Sequence, residues 1–289
     1  VETLNLEGNL FGGLLIAYNF PQAVRSILIS NNNITGPLPT DLSAYASLNE
    51  FRVANNRLTG PIPPSLFSAS LTLDVIDLSG NSLEGVVPQG IFLVTELERL
   101  DLSQNSFTDV ATPPPGAIVS IEVLDLSHNL LTAVPNLLAF TSLSSLSLAN
   151  NNIGGLLPAI HIASLRELSV ANNELTGFDP GFSEYYEDFA NTTSLAALDA
   201  SGNRLSSLVD VLRALPSILT SIDLSNNELT FPYPFFDFGY LSRFELLSEI
   251  SLADNLLSSL VVVSTDAAEG FPFLYEIDLS NNEFYGPIS

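Results

Sequence analysis

The sequence predicts an α/β-type repeat solenoid, about 12 coils of 22–30 residues stacked on one another with a parallel β-sheet along the concave face. Three observations predict it. First, an asparagine recurs behind the pattern L-x-x-L-x-L-x-x-N-x-L, at Asn9, Asn32, Asn56, Asn81, Asn105, Asn129, Asn151, Asn173, Asn203, Asn227, Asn255 and Asn282. The intervals run from 22 residues (Asn129 to Asn151) to 30 (Asn173 to Asn203), a period that belongs to stacked-coil architectures. Second, the x-L-x-L-x stretch alternates apolar and polar residues, the period of a half-buried strand. Third, hydrophobic residues make up 46% of the 289-residue chain and charged ones 14%, so it has a core to bury and is not a disordered chain.

Each position of the repeat has a physical reason. In Leu97-Glu98-Arg99-Leu100-Asp101-Leu102-Ser103-Gln104-Asn105 the leucines of one coil cannot bury themselves; neighbouring coils must cover them. The chain turns away from the strand just after the second strand leucine, and backbone groups there need partners. An Asn side chain supplies both donors and an acceptor. The same unit runs through residues 1–289, which predicts one repeat domain.

Several copies continue as Leu58-Thr59-Gly60-Pro61-Ile62-Pro63 and Ile34-Thr35-Gly36-Pro37-Leu38-Pro39, with weaker versions at 153–158, 175–180 and 284–288. Gly permits a tight bend and Pro ends strand pairing. On these residues the chain resembles the plant-type leucine-rich repeat family over its whole length. The resemblance implies a right-handed superhelix and an extracellular, non-enzymatic module: a receptor ectodomain, an enzyme inhibitor or a cell-wall protein. Cysteine-paired caps, usual in that family, are not recognisable here. Uncapped terminal coils are expected to leave leucine edges open, to be covered either by flanking sequence outside residues 1–289 or by something else, such as a head-to-tail neighbour.

Charge and composition exclude other classes. There are 32 acidic and 8 basic residues, all of the latter Arg, for a formal charge of −24. Nucleic acid and anionic membranes need a basic surface, so neither is an expected partner. With no Cys and two His, disulfides, thiolate chemistry and a histidine-rich metal site are excluded. No apolar run approaches the length of a bilayer span. Val1-Glu2-Thr3-Leu4 lacks a basic n-region and apolar h-region, so either the protein has no signal peptide or it is expected to be already removed. His128 and His161 have no Ser partner at a nucleophile elbow, and a flat open sheet excludes no water; no catalytic residues are expected.

Function is therefore expected on the faces. Between the two strand leucines lie Arg52, Asp77, Asp101, Asp125, Asp199, Asp223 and Asp278. Asp77, Asp101 and Asp125 fall on consecutive strands, where like charges repel. Either a Ca²⁺ ion relieves them or water and counterions do. The next outward column is almost entirely Ser or Ala. Arg25, Arg99 and Arg166 join Arg52 on this face, either to contact a carboxylate or sugar ligand or to neutralise Glu50, Glu98 and Glu167. In the longer C-terminal coils Phe182, Tyr185, Tyr186 and Phe189 precede Phe231, Tyr233, Phe235, Phe236, Phe238 and Tyr240. They form an exposed aromatic binding patch or fill a wider core. Asn33 and Asn191 stand in N-glycosylation sequons, so N-linked glycans are expected.

With the extracellular setting that the resemblance implies, these features lead to a recognition or adhesion module, at a cell surface or wall, for a protein or glycan ligand. The alternatives are a glycosylated fibre subunit assembling head to tail, and an inhibitor of a cell-wall-degrading enzyme.

Overall fold

Every copy of the leucine pattern forms a three-residue strand whose central side chain points inward. In a computed structural model of the chain, the residues described are 1–15, 20–67, 72–179, 194–232, 235–237, 241–258, 260–262 and 272–286. The chain divides into two units, Val1–Asn151 and Asn152–Ser289.

In the first unit the motif strands are Thr3–Asn5, Ser26–Leu28, Glu50–Arg52, Val75–Asp77, Arg99–Asp101, Val123–Asp125 and Ser145–Ser147, paired in parallel in chain order. Register is strict, so equivalent positions face each other: Arg99 lies between Val75 and Val123, and Asp101 between Asp77 and Asp125. The central residues Ile27, Phe51, Ile76, Leu100, Leu124 and Leu146 are buried. In the first coil Leu4 and Leu6 are half-buried, and beyond them Leu10, Phe11 and Leu14 are exposed.

The unit also has a second sheet that the one-sheet expectation omits: Gly12–Leu14, Asn33–Gly36, Arg57–Gly60, Ser82–Val87 and Ser106–Val110, again parallel and in chain order. The Gly and Pro of the L-T-G-P stretch act as expected. Strands end on Gly36 (φ 81°) and Gly60 (φ 78°), and Pro37 and Pro61 follow at once. Between the two sheets the core is leucine-rich, with Phe92 and Phe140 edge to face at 5.4 Å.

In the second unit the motif strands are Glu167–Ser169, Ala197–Asp199, Ser221–Asp223, Glu249–Ser251 and Glu276–Asp278, also parallel and in register. The far side is more varied. Gly154–Leu157 pairs with Glu174–Phe178, and Phe235–Asp237 with Leu260–Val262. Between them the coil carries an α-helix, Leu208–Ala214, buried on Leu208, Val211 and Leu212. Ser207 caps it by accepting from the Asp210 N–H (3.3 Å), with Asp210 in its first turn and Arg213 in its last.

The asparagine ladder links coil to coil. The Asn105 Nδ2 group donates to the carbonyls of Leu78 (3.0 Å), Leu102 (3.2 Å) and Ser103 (3.0 Å), and its Oδ1 accepts from the Leu83 N–H (3.0 Å). Asn129 repeats the set one coil on, with Leu102, Leu126, Ser127 and the Phe107 N–H. Each amide therefore closes its own turn and pins the preceding coil. Asn203, Asn227 and Asn255 do the same in the second unit.

One conformational rule escaped the sequence reading. The residue before each ladder asparagine is left-handed: Gly8, Asn31, Asn55, Gly80, Gln104, His128 and Asn150 in the first unit, and Asn172, Gly202, Asn226, Asp254 and Asn281 in the second, at φ 50–67°. Gly, Asn and Asp visit this region at little cost, which accounts for most of the column. At Gly80 the Oδ1 of Asn55 occupies the place that a Cβ would take, so a side chain there would have to displace it.

Candidate functional site

The strand face of each unit carries the candidate residues, and its aspartates come first. Asp77 Oδ1 accepts from the Ser79 N–H (3.1 Å) and hydroxyl (2.7 Å), and Asp101 accepts from Ser103 in the same way. Asp125 accepts from the Ser127 N–H (2.8 Å). In the second unit Asp199, Asp223 and Asp278 hold Ser201, Ser225 and Ser280. Asp-x-Ser is thus a local cap on the strand end. The sequence carries the signal in a pairing of two columns: each of these aspartates has Ser two residues on, whereas Ser147, Ser169 and Ser251 have Ala149, Ala171 and Ala253. Among the described residues, no group of three or more His, Asp or Glu is placed to hold a metal ion.

Burial pushes the Asp101 carboxyl above its ordinary value; the Ser103 bonds oppose this, and the charges of Asp125 and Asp77 add to the rise. A raised acid binds its proton more tightly in the native state than in the unfolded chain. The stability this confers is complete below the unfolded value and is lost as pH rises through the raised native one. At neutral pH the charge is a cost. Asp101→Asn keeps an oxygen for Ser103 and removes the repulsion, so it should raise stability at pH 7 by about 0.2–1 kcal/mol, the scale of a like-charge cross-strand pair. The gain should vanish as pH falls towards the ordinary carboxylate value of 3.8. Thermal unfolding followed from neutral to acid pH checks this; a variant less stable at both ends refutes it.

The arginines divide. Arg52 donates from Nε to Glu50 and lies 4.0 Å from Asp77, so it neutralises its neighbours. Arg25, Arg99 and Arg166 are exposed and form no ion pair among the described residues.

The second unit holds a depression of about 240 Å³ lined by Ser221, Ile222, Asp223, Glu249, Ile250, Ser251, Glu276 and Asp278. The buried Ile222 and Ile250 belong to its lining, and four carboxylates surround it. Glu249 is held at both oxygens: Oε1 accepts from the Ser221 hydroxyl (2.7 Å) and Oε2 from the Tyr275 hydroxyl (3.1 Å). That bond to Glu249 raises the Tyr275 phenol, and bonds from Ser280 lower the Asp278 carboxyl. Sequence reasoning found Asp223 and Asp278 but missed Ser221, Glu249, Glu276 and Tyr275. They occupy the strand column before the central isoleucine and the position ahead of it, and the sequence shows both columns once strands are aligned.

The aromatic patch requires a correction at Phe231, which is buried, 6% exposed. Leu229 and Phe231 alternate about the exposed Thr230, so both turn into the core. The backbone of Phe235 and Phe236 forms a strand. Tyr185, Tyr186, Tyr233, Phe238 and Tyr240, with Phe182 and Phe189, lie outside the described residues, as does Asn191. Asn33 is exposed. His161 is exposed, and His128 Nε2 lies 3.2 Å from Asn150 Nδ2. Among the described residues no helix is long and apolar enough to cross a membrane.

A family model described as leucine rich repeat matches residues 46–107, and a second of the same description matches 23–44 and 142–161. No curated protein matches the sequence significantly. Among solved structures, the chain is similar to the plant peptide hormone receptor RGFR1 in complex with RGF2, at 23% identity and TM-score 0.65, covering 100% of this chain and 52% of that one. It is similar to the Arabidopsis receptor kinase HAESA, in complex with the peptide hormone IDA and the co-receptor SERK1, at 22% identity and TM-score 0.64, covering 98% and 50%. A functional domain of InlJ from Listeria monocytogenes matches at 19% identity and TM-score 0.69, covering 99% and 60%. The chain thus spans between half and three fifths of these structures, and at such identities the likeness concerns the fold. Leucine-rich repeats are matched at residues 23–44, 46–107 and 142–161, and the strand register and asparagine ladder carry the same solenoid fold through the other motif strands of each unit.

Proposed function

We propose that this chain is a non-enzymatic extracellular recognition module that binds a basic segment of a partner protein on the strand face of its second unit. The observation that carries this is the depression at Asp223, Glu249, Glu276 and Asp278, in which Ser221 and Tyr275 hold the Glu249 carboxylate in place. A carboxylate oriented before binding loses little freedom when a guanidinium or ammonium arrives. The exposed Tyr275 ring beside it offers a face to the same cation. A formal charge of −24 steers basic partners in and repels acidic ones. The receptors RGFR1 and HAESA, whose folds are similar, are seen with peptide hormones, which supports a peptide or protein ligand and an extracellular setting.

Fluorescence anisotropy with a labelled oligo-arginine peptide tests the site. Asp223→Asn with Glu249→Gln should weaken binding about tenfold, whereas the equal charge change Asp77→Asn with Asp125→Asn should alter it by less than about twofold. Equal losses in the two double variants would reduce the effect to net charge and end the proposal for this site.

A further inference from the structure

We propose that Asn33 is an N-glycan acceptor and that its glycan covers part of the second sheet of the first unit. Three consecutive asparagines meet three different fates there. Asn31 takes the left-handed turn at φ 57°. Asn32 is consumed by the ladder, its amide donating to the carbonyls of Leu6, Ile29 and Ser30 and its Oδ1 accepting from the Phe11 N–H. Asn33 is exposed, and its carboxamide makes no hydrogen bond among the described residues.

The sequon Asn33-Ile34-Thr35 lies in the strand Asn33–Gly36, where exposed and buried positions alternate. Ile34 is buried, and its N–H donates to Asn56 Oδ1 (3.0 Å). That pins the middle of the sequon and leaves the flanking Asn33 and Thr35 side chains together on the outer face. On the neighbouring strand Gly12 stands in register with Asn33, so no side chain there crowds the Asn33 amide. A bulky sugar on the Asn33 amide therefore meets solvent, breaks no hydrogen bond and displaces no core atom.

The repeat explains why the acceptor falls here. A ladder asparagine cannot be one, because the motif places an apolar residue two positions on, as in Asn105-Ser106-Phe107. One residue later the L-T-G stretch supplies the threonine itself. The next coil has Arg57-Leu58-Thr59 at the same place and lacks only the asparagine. A glycan on Asn33 sits on the second sheet and leaves the motif strands bare for a ligand. The proposal stands on its own geometry, so its failure would not decide the ligand reading.

The test directs the full chain into the secretory pathway of a eukaryotic host. Trypsin, cutting only at arginine here, releases Ser26–Arg52, in which Asn33 is the single sequon. Deglycosylation by peptide-N-glycosidase in heavy-oxygen water should convert Asn33 to labelled aspartate. Asn33→Gln should abolish that label without moving the thermal midpoint, and Arg57→Asn in that background should restore one glycan in the neighbouring coil. Chain retained inside the host is read in the same way, since sugars are attached before export. An unlabelled Asn33 in folded chain from either fraction overturns the proposal. So does an Asn33→Gln variant that keeps its glycan at that peptide or loses stability.

Discussion

Asn105→Ala should destabilise the protein by about 3 kcal/mol, the cost of one stranded buried donor plus the loss of a bridging amide. The donor is the Leu83 N–H, whose partner in the structure is Asn105 Oδ1. The carbonyls Asn105 serves fare better. Leu78 keeps the Asn81 amide, Leu102 keeps the Asn129 amide, and Ser103 keeps the Gly80 N–H at 3.0 Å. Most of the effect therefore falls on Leu83 and on the tie between two coils. Asn9→Ala is the matched control. Asn9 is exposed, and among the described residues its amide reaches only the carbonyls of its own coil, Leu6 and Glu7. It should cost no more than about 0.5 kcal/mol, as for ordinary surface substitutions. Urea unfolding followed by circular dichroism compares the two. Equal shifts of the midpoint would mean that the ladder does not join the coils.

Phe51→Ala should cost about 3–5 kcal/mol, the usual toll for truncating a buried aromatic ring. Phe51 is 0% exposed and sits at the centre of a motif strand, where its neighbours are Ile27 and Ile76. Its ring lies edge to face with Phe67 at 6.4 Å. Phe51→Leu restores the residue type other coils use and should cost less than about 1.5 kcal/mol. If alanine is no worse than leucine in the same denaturation measurement, the coil closes over the cavity and the ring is not holding it open.

Much of this was legible in the sequence, and the parts that were not share a reason. A two-residue alternation and a fixed interval are local facts, so the motif strands and the ladder could be read from Leu100, Leu102 and Asn105 alone. The left-handed column could also have been read, since Gly, Asn and Asp dominate it; Gln104 and His128 obscured it. The aspartate caps were legible only through two columns taken together, Asp with Ser and Ser with Ala. The second sheet was harder. Its strands Asn33–Gly36 and Arg57–Gly60 alternate too briefly around a glycine to announce themselves. They form because the ladder amides of Asn56 and Asn81 seize the N–H groups of Ile34 and Leu58 from the next coil.

The candidate site shows the same division. Composition alone settled the sign of the net charge, with 32 acids against 8 arginines. It could not say which carboxylates are engaged. Asp101 and Glu249 are both acids on motif strands. One is turned to its own Ser103, while the other is held by Ser221 and Tyr275 from the coils on either side. Phe231 and Tyr275 are both aromatic, and only packing put the first in the core and left the second 73% exposed. What the chain determined by itself was the coil: its strand, its turn and the asparagine that closes it, all set by neighbours within a few residues. The tertiary structure decided which side chains share a surface, because that depends on the register between residues twenty or more positions apart.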